Sequence, residues 1–229
     1  MTIAENYSQI KKRIASACQA SGRNESQVTL IAVSKKQSED KIEELYRLGH
    51  RDFGENYVQE LIAKAEELER RGCKDIRWHF IGHLQTNKAK LLVPYVASVH
   101  SVDSEKIAVA LAKAWGAAGR AGKLPVFIEV NISHEESKTG ADTAEAEMLA
   151  CKVSELPELE LQGLMCVPAA SEDDHQLKER FSELNKLEAG LRDVSRRQLS
   201  MGMSSDFEIA ISQGSTHVRV GTALFGTRA

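Results

Sequence analysis

The sequence predicts a single (β/α)8 TIM barrel with one extra helix at the N-terminus. Short apolar, β-branched runs alternate with longer segments of helical periodicity along the 229 residues, and about eight such runs can be counted. Near-continuous apolar strands are typical of a parallel sheet covered by helices, and a count near eight favours closure into a barrel. An open doubly wound sheet is the alternative, but its usual GxGxxG turn after the first strand is missing.

The first element is an amphipathic helix outside the strand–helix alternation. Tyr7, Ile10, Ile14 and Ala17 fall at helical spacing, and Gly22 follows as a helix terminator. This is the extra N-terminal helix.

The strand and helix segments then follow in pairs. The predicted strands, each with its helix, are 28–33 (helix after Ser38), 52–53 (57–68), 76–81 (85–92), 96–102 (104–119), 126–132 (142–153), 159–165 (177–191), 198–201 (206–212) and a last strand 217–220. No linker or change of composition interrupts the series, so residues 1–229 are expected to form one domain.

Composition excludes several classes of function. The net charge is only −3 and no run of Lys or Arg occurs, so a nucleic-acid partner is not expected. Neither a signal peptide nor an apolar stretch of about 20 residues is present, which predicts a cytoplasmic protein with no membrane partner. Cys18, Cys73, Cys151 and Cys166 form no CxxC pair, so buried free thiols are expected rather than disulfides or a zinc site.

A lysine ends the first strand, where a barrel places its active face. Lys35 and Lys36 are adjacent there, and alternation along a strand allows at most one of them to point into the barrel mouth. Desolvation in the mouth would lower the amine pKa from about 10.4 and free it to attack an aldehyde. A solvated charge is the alternative, and the pattern does not choose between the two lysines.

The loops after the last two strands carry small residues that suit a phosphate. Barrels often bind phosphate there through backbone N–H groups. The candidates are Ser200, Gly202, Gly221 and Thr222. Small residues after a strand are also ordinary helix caps, and Ser205-x-x-Glu208 has the pattern of a capping box.

Other chemistries stay open at this point. An amine and a phosphate cradle would also serve a Schiff-base aldolase acting on a phosphosugar. His79 and His83 are four residues apart, but on or just past a strand this spacing does not converge on a metal. No metal is therefore expected. The polar loop 133–140, which contains Lys138, is long enough to act as a lid.

Six collinear motifs resemble the pyridoxal 5'-phosphate (PLP) homeostasis protein family and span nearly the whole chain. They are Ala32-Val33-Ser34-Lys35, Phe53-Gly54-Glu55-Asn56-Tyr57, His79-Phe80-Ile81-Gly82 with Leu84-Gln85-x-Asn87-Lys88, Gly163-Leu164-Met165, Ser200-Met201-Gly202-Met203-Ser204 and Arg219-Val220-Gly221-Thr222. That family is similar in fold to the barrel domain of alanine racemase and of eukaryotic-type ornithine decarboxylase.

The resemblance implies a role for each candidate residue. Lys35 would hold PLP as a Schiff base, and Arg219 would face the pyridine nitrogen. Ser200 and the segment from Arg219 to Thr222 would hold the phosphate. The ring pocket would be lined by Asn56, His79 and Met165. Lys138 lies in a Ser-Lys-x-Gly stretch that the family shares and is a candidate second landing site for PLP.

The resemblance also implies a function. A permanently charged arginine disfavours protonation of the pyridine nitrogen and so weakens carbanion chemistry. The chain ends soon after Phe225, leaving no residues for the second domain of a racemase. A non-catalytic PLP binder is therefore expected, mostly monomeric, which maintains PLP and amino-acid balance and has PLP-dependent apo-enzymes as candidate recipients. The alternative is a minimal PLP-dependent amino-acid racemase with His79, Lys138 or Tyr57 as acid–base partner.

Overall fold

Eight parallel strands close into one barrel in the order of the chain. The computed structural model describes residues 2–133, 139–169, 172–191 and 194–226. Each strand pairs with the next, and β1 pairs with β8 to complete the ring. The strands are β1 Thr29–Val33, β2 Asp52–Glu55, β3 Arg77–Phe80, β4 Val96–Val102, β5 Leu124–Glu129, β6 Leu159–Met165, β7 Gln198–Ser200 and β8 His217–Val220. The predicted (β/α)8 TIM barrel is confirmed.

Helices surround the barrel. They are α1 Ile3–Ala20, α2 Glu39–Arg47, α3 Val58–Arg70, α4 Ala89–Leu92, α5 Glu105–Ala117, α6 Thr143–Ser154, α7 Asp174–Gly190, α8 Phe207–Ser212 and α9 Thr222–Phe225. Their apolar faces and the outer faces of the strands form a continuous buried core. Within the described ranges, no helix has the length and apolar character needed to cross a membrane.

Helix α1 is the extra element that the periodicity predicts. Thr2 and Glu5 form a reciprocal capping box at its start. Ile10, Ile14 and Cys18 are buried, and the helix packs against α8 and α9. It therefore covers the side of the barrel where the chain closes.

Several element boundaries differ from the sequence prediction. The strand predicted at 126–132 begins earlier and ends at Glu129, because Val130 makes only an isolated bridge to Ala141. The helix predicted at 85–92 divides into a 3-10 turn, Thr86–Lys88, and the single turn of α4. Such boundaries depend on the neighbouring strand, which periodicity does not reveal.

The capping box predicted from Ser205 and Glu208 is wrong. Helix α8 begins at Phe207, and the Asp206 carboxylate accepts from the Met203 N–H at 2.7 Å. The Glu208 side chain instead pairs with Arg13 at 2.5 Å. The loop after β7 therefore does not form the predicted capping box.

The prediction of four buried thiols holds for three of them. Cys18, Cys73 and Cys166 are buried, and all four cysteines are free. Cys151 is exposed on α6. A helix covering a barrel has a solvent face, and this residue lies on it.

Candidate functional site

A cavity of about 360 Å³ opens at the carboxyl ends of the strands. Its lining comes from the ends of β1 and β8 and from the loops after β2, β3, β6 and β7. The lining residues are Val33, Lys35, Asn56, Ile81, Val167, Met203, Ser204, Ser205, Arg219, Gly221 and Thr222. This is the end of a barrel at which active sites are built.

Of the two adjacent lysines, Lys35 lines the cavity and Lys36 does not. Lys35 is half-buried and lines the cavity, whereas Lys36 is exposed and is not among the lining residues. Lys36 adopts a left-handed backbone with φ of 58°, and its N–H donates to Glu60 Oε1 at 2.5 Å. This sharp turn directs the two neighbouring side chains to different environments.

A buried ion-pair cluster fixes the backbone immediately before Lys35. Lys64 Nζ donates to the Ser34 carbonyl at 2.7 Å, to Glu55 Oε1 at 2.8 Å and to Glu60 Oε1 at 2.7 Å. Ser34 Oγ also donates to Glu55 Oε1 at 2.7 Å. All three ammonium N–H groups of Lys64 are thereby used, and the end of β1 is tied to β2 and α3.

Arg219 reaches the cavity from the barrel interior. Its Nη1 donates to the Ser200 carbonyl at 2.6 Å and to Ser200 Oγ at 2.8 Å, and its Nη2 donates to the Cys166 carbonyl at 2.7 Å. A guanidinium has five N–H donors, so these contacts leave two of them for another acceptor. The side chain is only 4% exposed, so Arg219 is not part of a surface ion pair.

No carboxylate of the residues that the structure describes pairs with the charge of Arg219. Across the described ranges, no Asp or Glu side chain lies within ion-pair distance of its guanidinium. Burial lowers the pKa of Arg219, yet a guanidinium keeps its proton in proteins. A buried positive charge of this kind requires hydrogen-bond acceptors, and the cavity offers room for one supplied by a ligand.

Hydroxyl groups gather just beyond the carboxyl ends of the last two strands. Ser204, Ser205 and Thr222 line the cavity, and the Gly221 N–H donates to Ser204 Oγ at 3.2 Å. A Cβ on Gly221 would lie 3.3 Å from the Val33 carbonyl oxygen, so a larger residue would press on β1. These groups form a small polar wall of the cavity, at which a ligand can approach the backbone closely.

The structure brings five of the nine predicted site residues together. Lys35, Asn56, Arg219, Gly221 and Thr222 all line the cavity. Asn56 Oδ1 is buried and has no hydrogen-bond partner among the residues that the structure describes. These five residues therefore lie together at the carboxyl ends of the strands.

Ser200 and Gly202 lie outside the cavity lining. Strand β7 ends at Ser200, one residue earlier than predicted, and the fully buried hydroxyl bonds to Arg219 and to His100 Nδ1. Gly202 has φ of 95°, and a Cβ there would lie 2.6 Å from Cβ of Ala210. Ser200 thus supports Arg219, and Gly202 permits α8 to pack closely.

Met165 and His79 are also placed elsewhere. Met165 is buried at the end of β6, paired with Ser200 of β7 and Glu129 of β5. His79 points into the barrel interior, where its ring contacts Ser98 Oγ at 2.7 Å and Asp52 Oδ1 at 3.0 Å. Neither is among the residues that line the cavity.

Sequence reasoning missed part of the lining. The missed residues are Val33, Ile81, Val167, Met203, Ser204 and Ser205. Ser204 ends the motif that begins with Ser200. The motif therefore indicated this segment but did not show which of its serines lines the cavity. Lys138 and most of the loop after β5 lie outside the described residues.

The chain is similar to known proteins over almost its full length. Residues 2–229 match the family model described as alanine racemase, N-terminal domain. It is 41% identical over 231 residues to a pyridoxal phosphate homeostasis protein of Escherichia coli, covering 99% of this chain and 97% of that one. A protein of the same name from Pseudomonas aeruginosa is 42% identical over 230 residues, with coverage of 99% and 96%.

Solved structures show the same barrel. PipY of Synechococcus elongatus, determined with PLP bound, is 36% identical with a TM-score of 0.80 and covers 95% of this chain and 100% of its own. The alanine racemase of Corynebacterium glutamicum, at 16% identity and a TM-score of 0.69 over 96% of this chain and 61% of that one, shares the fold alone. The chain therefore belongs to the pyridoxal phosphate homeostasis protein family, with the barrel of the N-terminal domain of alanine racemase.

Proposed function

We propose that this chain binds PLP as a Schiff base on Lys35 and maintains the balance of PLP and amino acids without robust catalysis. The observation that supports this most directly is that Lys35 and Arg219 line one cavity together with the hydroxyl groups of Ser204, Ser205 and Thr222. A primary amine suits the aldehyde of PLP, and a cationic, hydroxyl-rich pocket suits its phosphate. The relatives named for PLP homeostasis support the same function.

The cavity residues fit the parts of PLP. Ser204, Ser205 and Thr222 supply hydroxyl donors, and Gly221 leaves room for the backbone to approach phosphate oxygens. Asn56 Oδ1, which has no partner among the described residues, would meet a donor on the cofactor. This assignment moves the proposed phosphate contact from Ser200 to Ser204.

Arg219 is the proposed partner of the pyridine nitrogen. Because a guanidinium can only donate, the nitrogen facing it must present a lone pair and stay unprotonated. When bound, PLP supplies an electron sink, and an unprotonated ring is a weak one. Strong carbanion chemistry is therefore not expected from this site.

Two of the three side chains considered for acid–base chemistry, His79 and Tyr57, lie away from the cavity. Both ring nitrogens of His79 are engaged in the barrel interior. Tyr57 is 53% exposed and lines a neighbouring cavity rather than this one. Within the described residues, neither offers the second proton-transfer group that the alternative, a minimal racemase, requires.

A store or carrier of PLP needs reversible exchange rather than turnover. A Schiff base on an accessible amine is exchanged by other amines, which suits delivery to PLP-dependent apo-enzymes. We propose these apo-enzymes as recipients and a monomer as the working form.

The test compares two neighbouring lysines. Purified protein with PLP should show a visible absorbance band that disappears on borohydride reduction, with the pyridoxyl mass on the Lys35 peptide. Lys35→Ala should lose the band, and the matched control Lys36→Ala should keep it, because Lys36 is exposed and outside the cavity.

The outcomes separate the alternatives. A wild-type protein that stays colourless with added PLP would exclude PLP binding and favour the phosphosugar aldolase. Racemisation of amino acids that is lost in Lys35→Ala would favour the racemase. A band without turnover supports the proposed carrier.

A further inference from the structure

A continuous series of buried polar side chains connects Arg219 with the opposite end of the barrel. The links are Arg219 Nη1 to Ser200 Oγ at 2.8 Å, Ser200 Oγ to His100 Nδ1 at 2.9 Å, His100 Nε2 to Ser98 Oγ at 2.8 Å, Ser98 Oγ to His79 Nδ1 at 2.7 Å and His79 Nε2 to Asp52 Oδ1 at 3.0 Å. We call these six residues the interior chain. Its members are all buried.

The first link fixes the direction of the second. Arg219 can only donate, so Ser200 Oγ is an acceptor there. The hydroxyl proton of Ser200 then goes to His100 Nδ1, the other polar side-chain atom bonded to it. If His100 Nδ1 carried a proton instead, the fully buried hydroxyl of Ser200 would have no acceptor for its own proton.

The remaining hydrogen bonds of the interior chain, as far as Asp52, each have one direction as well. His100 is completely buried, and this desolvation lowers its pKa well below the ordinary value, so the ring is neutral and carries its proton on Nε2. Nε2 donates to Ser98 Oγ, and Ser98 donates to His79 Nδ1. His79 then donates from Nε2 to Asp52, which Arg77 holds at 2.5 Å.

An additional contact does not change this assignment. His79 Nδ1 and His100 Nε2 are 3.2 Å apart, so the His100 proton can be shared between Ser98 and His79. In either arrangement His79 Nδ1 accepts and His100 Nε2 donates. His217, whose ring lies 5.6 Å from that of His100, bonds to Thr216 and takes no part.

We propose that His100 is a positioning residue for Arg219, an inference that rests on the proposed function. By accepting the Ser200 proton, His100 leaves the Ser200 oxygen to accept from Nη1. That contact and the two backbone carbonyls hold the guanidinium in one orientation, with its remaining N–H groups left for the ring nitrogen of PLP. The tautomers of His100 and His79 are thus set by the charge in the cofactor cavity.

The tautomers can be measured on the protein without PLP. Long-range ¹H–¹⁵N spectra of histidine-labelled protein should show a pyrrole-type Nε2 and a pyridine-type Nδ1 for both His79 and His100. A protonated Nδ1 on His100 would overturn the proposal. This result does not depend on whether PLP binds.

Variants test the effect on the cofactor. His100→Phe removes the acceptor of the Ser200 proton, so the Ser200 hydroxyl is no longer held with its oxygen toward Arg219. PLP release should become about tenfold faster, the effect of disrupting the charge-assisted hydrogen bond from Arg219 to Ser200, with a shifted visible band. His100→Asn places an amide oxygen near the position of Nδ1 and should restore slow release. His217→Asn is the matched control from the same interior and should match wild type.

The two proposals fail in different ways. Wild-type protein that binds no PLP contradicts the proposed function. Wild-type protein that binds PLP, together with folded His100→Phe that releases it at the wild-type rate, contradicts the role of His100. If His100→Phe does not fold, Ser200→Ala removes the acceptor oxygen with little change in volume, and wild-type release from that variant is equally decisive against it.

Discussion

Lys64 Nζ lies 2.8 Å from Glu55 Oε1, and the two side chains are only 4% and 0% exposed. The same ammonium group binds the carbonyl of Ser34, the residue before Lys35. The pair therefore links the position of the cofactor lysine to the stability of the barrel. A buried pair of this kind is costly to break, because the remaining charge has no partner.

We expect Lys64→Met to lower the free energy of unfolding by about 3–5 kcal/mol at pH 7. Burial raises the pKa of Glu55, and losing the opposing charge of Lys64 raises it further. Since folded Glu55 then binds its proton more tightly than unfolded Glu55, the loss of stability relative to wild type should be smallest below about pH 4 and grow as pH rises.

Urea denaturation at several pH values measures this effect. Adding Glu55→Gln to Lys64→Met should recover part of the loss, because no buried charge is left unpaired. A Lys64→Met protein as stable as wild type at pH 7 would show that the pair does not hold the strand end.

Asp52 is expected to make the barrel sensitive to acid. Burial acts to raise the pKa of its carboxyl group, but hydrogen bonds from Arg77 and His79 outweigh it and hold the pKa below the ordinary range. A lowered carboxyl pKa contributes stability above about pH 4 that is lost as pH falls further. Asp52→Asn should remove about 1–2 kcal/mol at pH 6 and flatten the decline between pH 5 and pH 3.

The matched control for Asp52 is Asp75. Its side chain is 64% exposed and pairs with Arg51 at the surface. Exposed pairs contribute little, so Asp75→Asn should leave both stability and its pH profile close to wild type. Equal acid profiles for Asp52→Asn and wild type, measured by thermal unfolding, would contradict the prediction.

Gly82→Ala should weaken PLP binding while the barrel stays folded. An added Cβ would lie 2.1 Å from the backbone oxygen of Asn56, so the loop that carries Asn56 must move. We expect a loss of PLP affinity of at least about tenfold, since a displaced polar contact costs about 1–3 kcal/mol. Equilibrium titration with PLP measures this loss.

Gly116→Ala is the corresponding control. Gly116 lies in α5, and the nearest atom to an added Cβ is Cγ of Glu158 at 3.6 Å. The substitution should raise stability by about 0.5–1 kcal/mol, because alanine restricts the unfolded chain, and leave PLP affinity unchanged. Unchanged affinity in Gly82→Ala would remove Asn56 from the proposed site.

Thiol reactivity should be confined to one cysteine in the native protein. Burial raises the pKa of Cys166 to about 12, and Cys18 and Cys73 are also buried with raised pKa values. A thiol-exchange reagent should therefore modify Cys151 rapidly and the others only on unfolding. Loss of the fast phase in Cys151→Ser checks the assignment, and two fast thiols in wild type would contradict it.

The sequence was sufficient for the architecture. Apolar periodicity of two kinds, repeated about eight times, predicts the barrel, because each helix and strand must bury one face against its neighbour. It also predicts the rim at which Lys35, Asn56, Arg219, Gly221 and Thr222 meet, since parallel strands bring their carboxyl ends to one side.

The choice between neighbouring residues required the tertiary structure. The pattern allowed either Lys35 or Lys36, and the left-handed turn at Lys36 decides between them. The motif contains both Ser200 and Ser204, and the sequence prediction was Ser200. In the structure Ser204 lines the cavity, whereas Ser200 is buried beneath it and bonds to Arg219.

The direction of the His79 side chain also could not be predicted from the sequence. The family resemblance implied that His79 lines the pocket of the PLP ring, but the structure directs its side chain into the barrel interior. Its partners are Asp52 on β2 and Ser98 on β4, so its direction is set by strands that pair with β3. The sequence thus determined the barrel and the end of it at which the cavity lies. Only the tertiary structure decided which side chains face the cavity, because that depends on hydrogen bonds between strands distant in the chain.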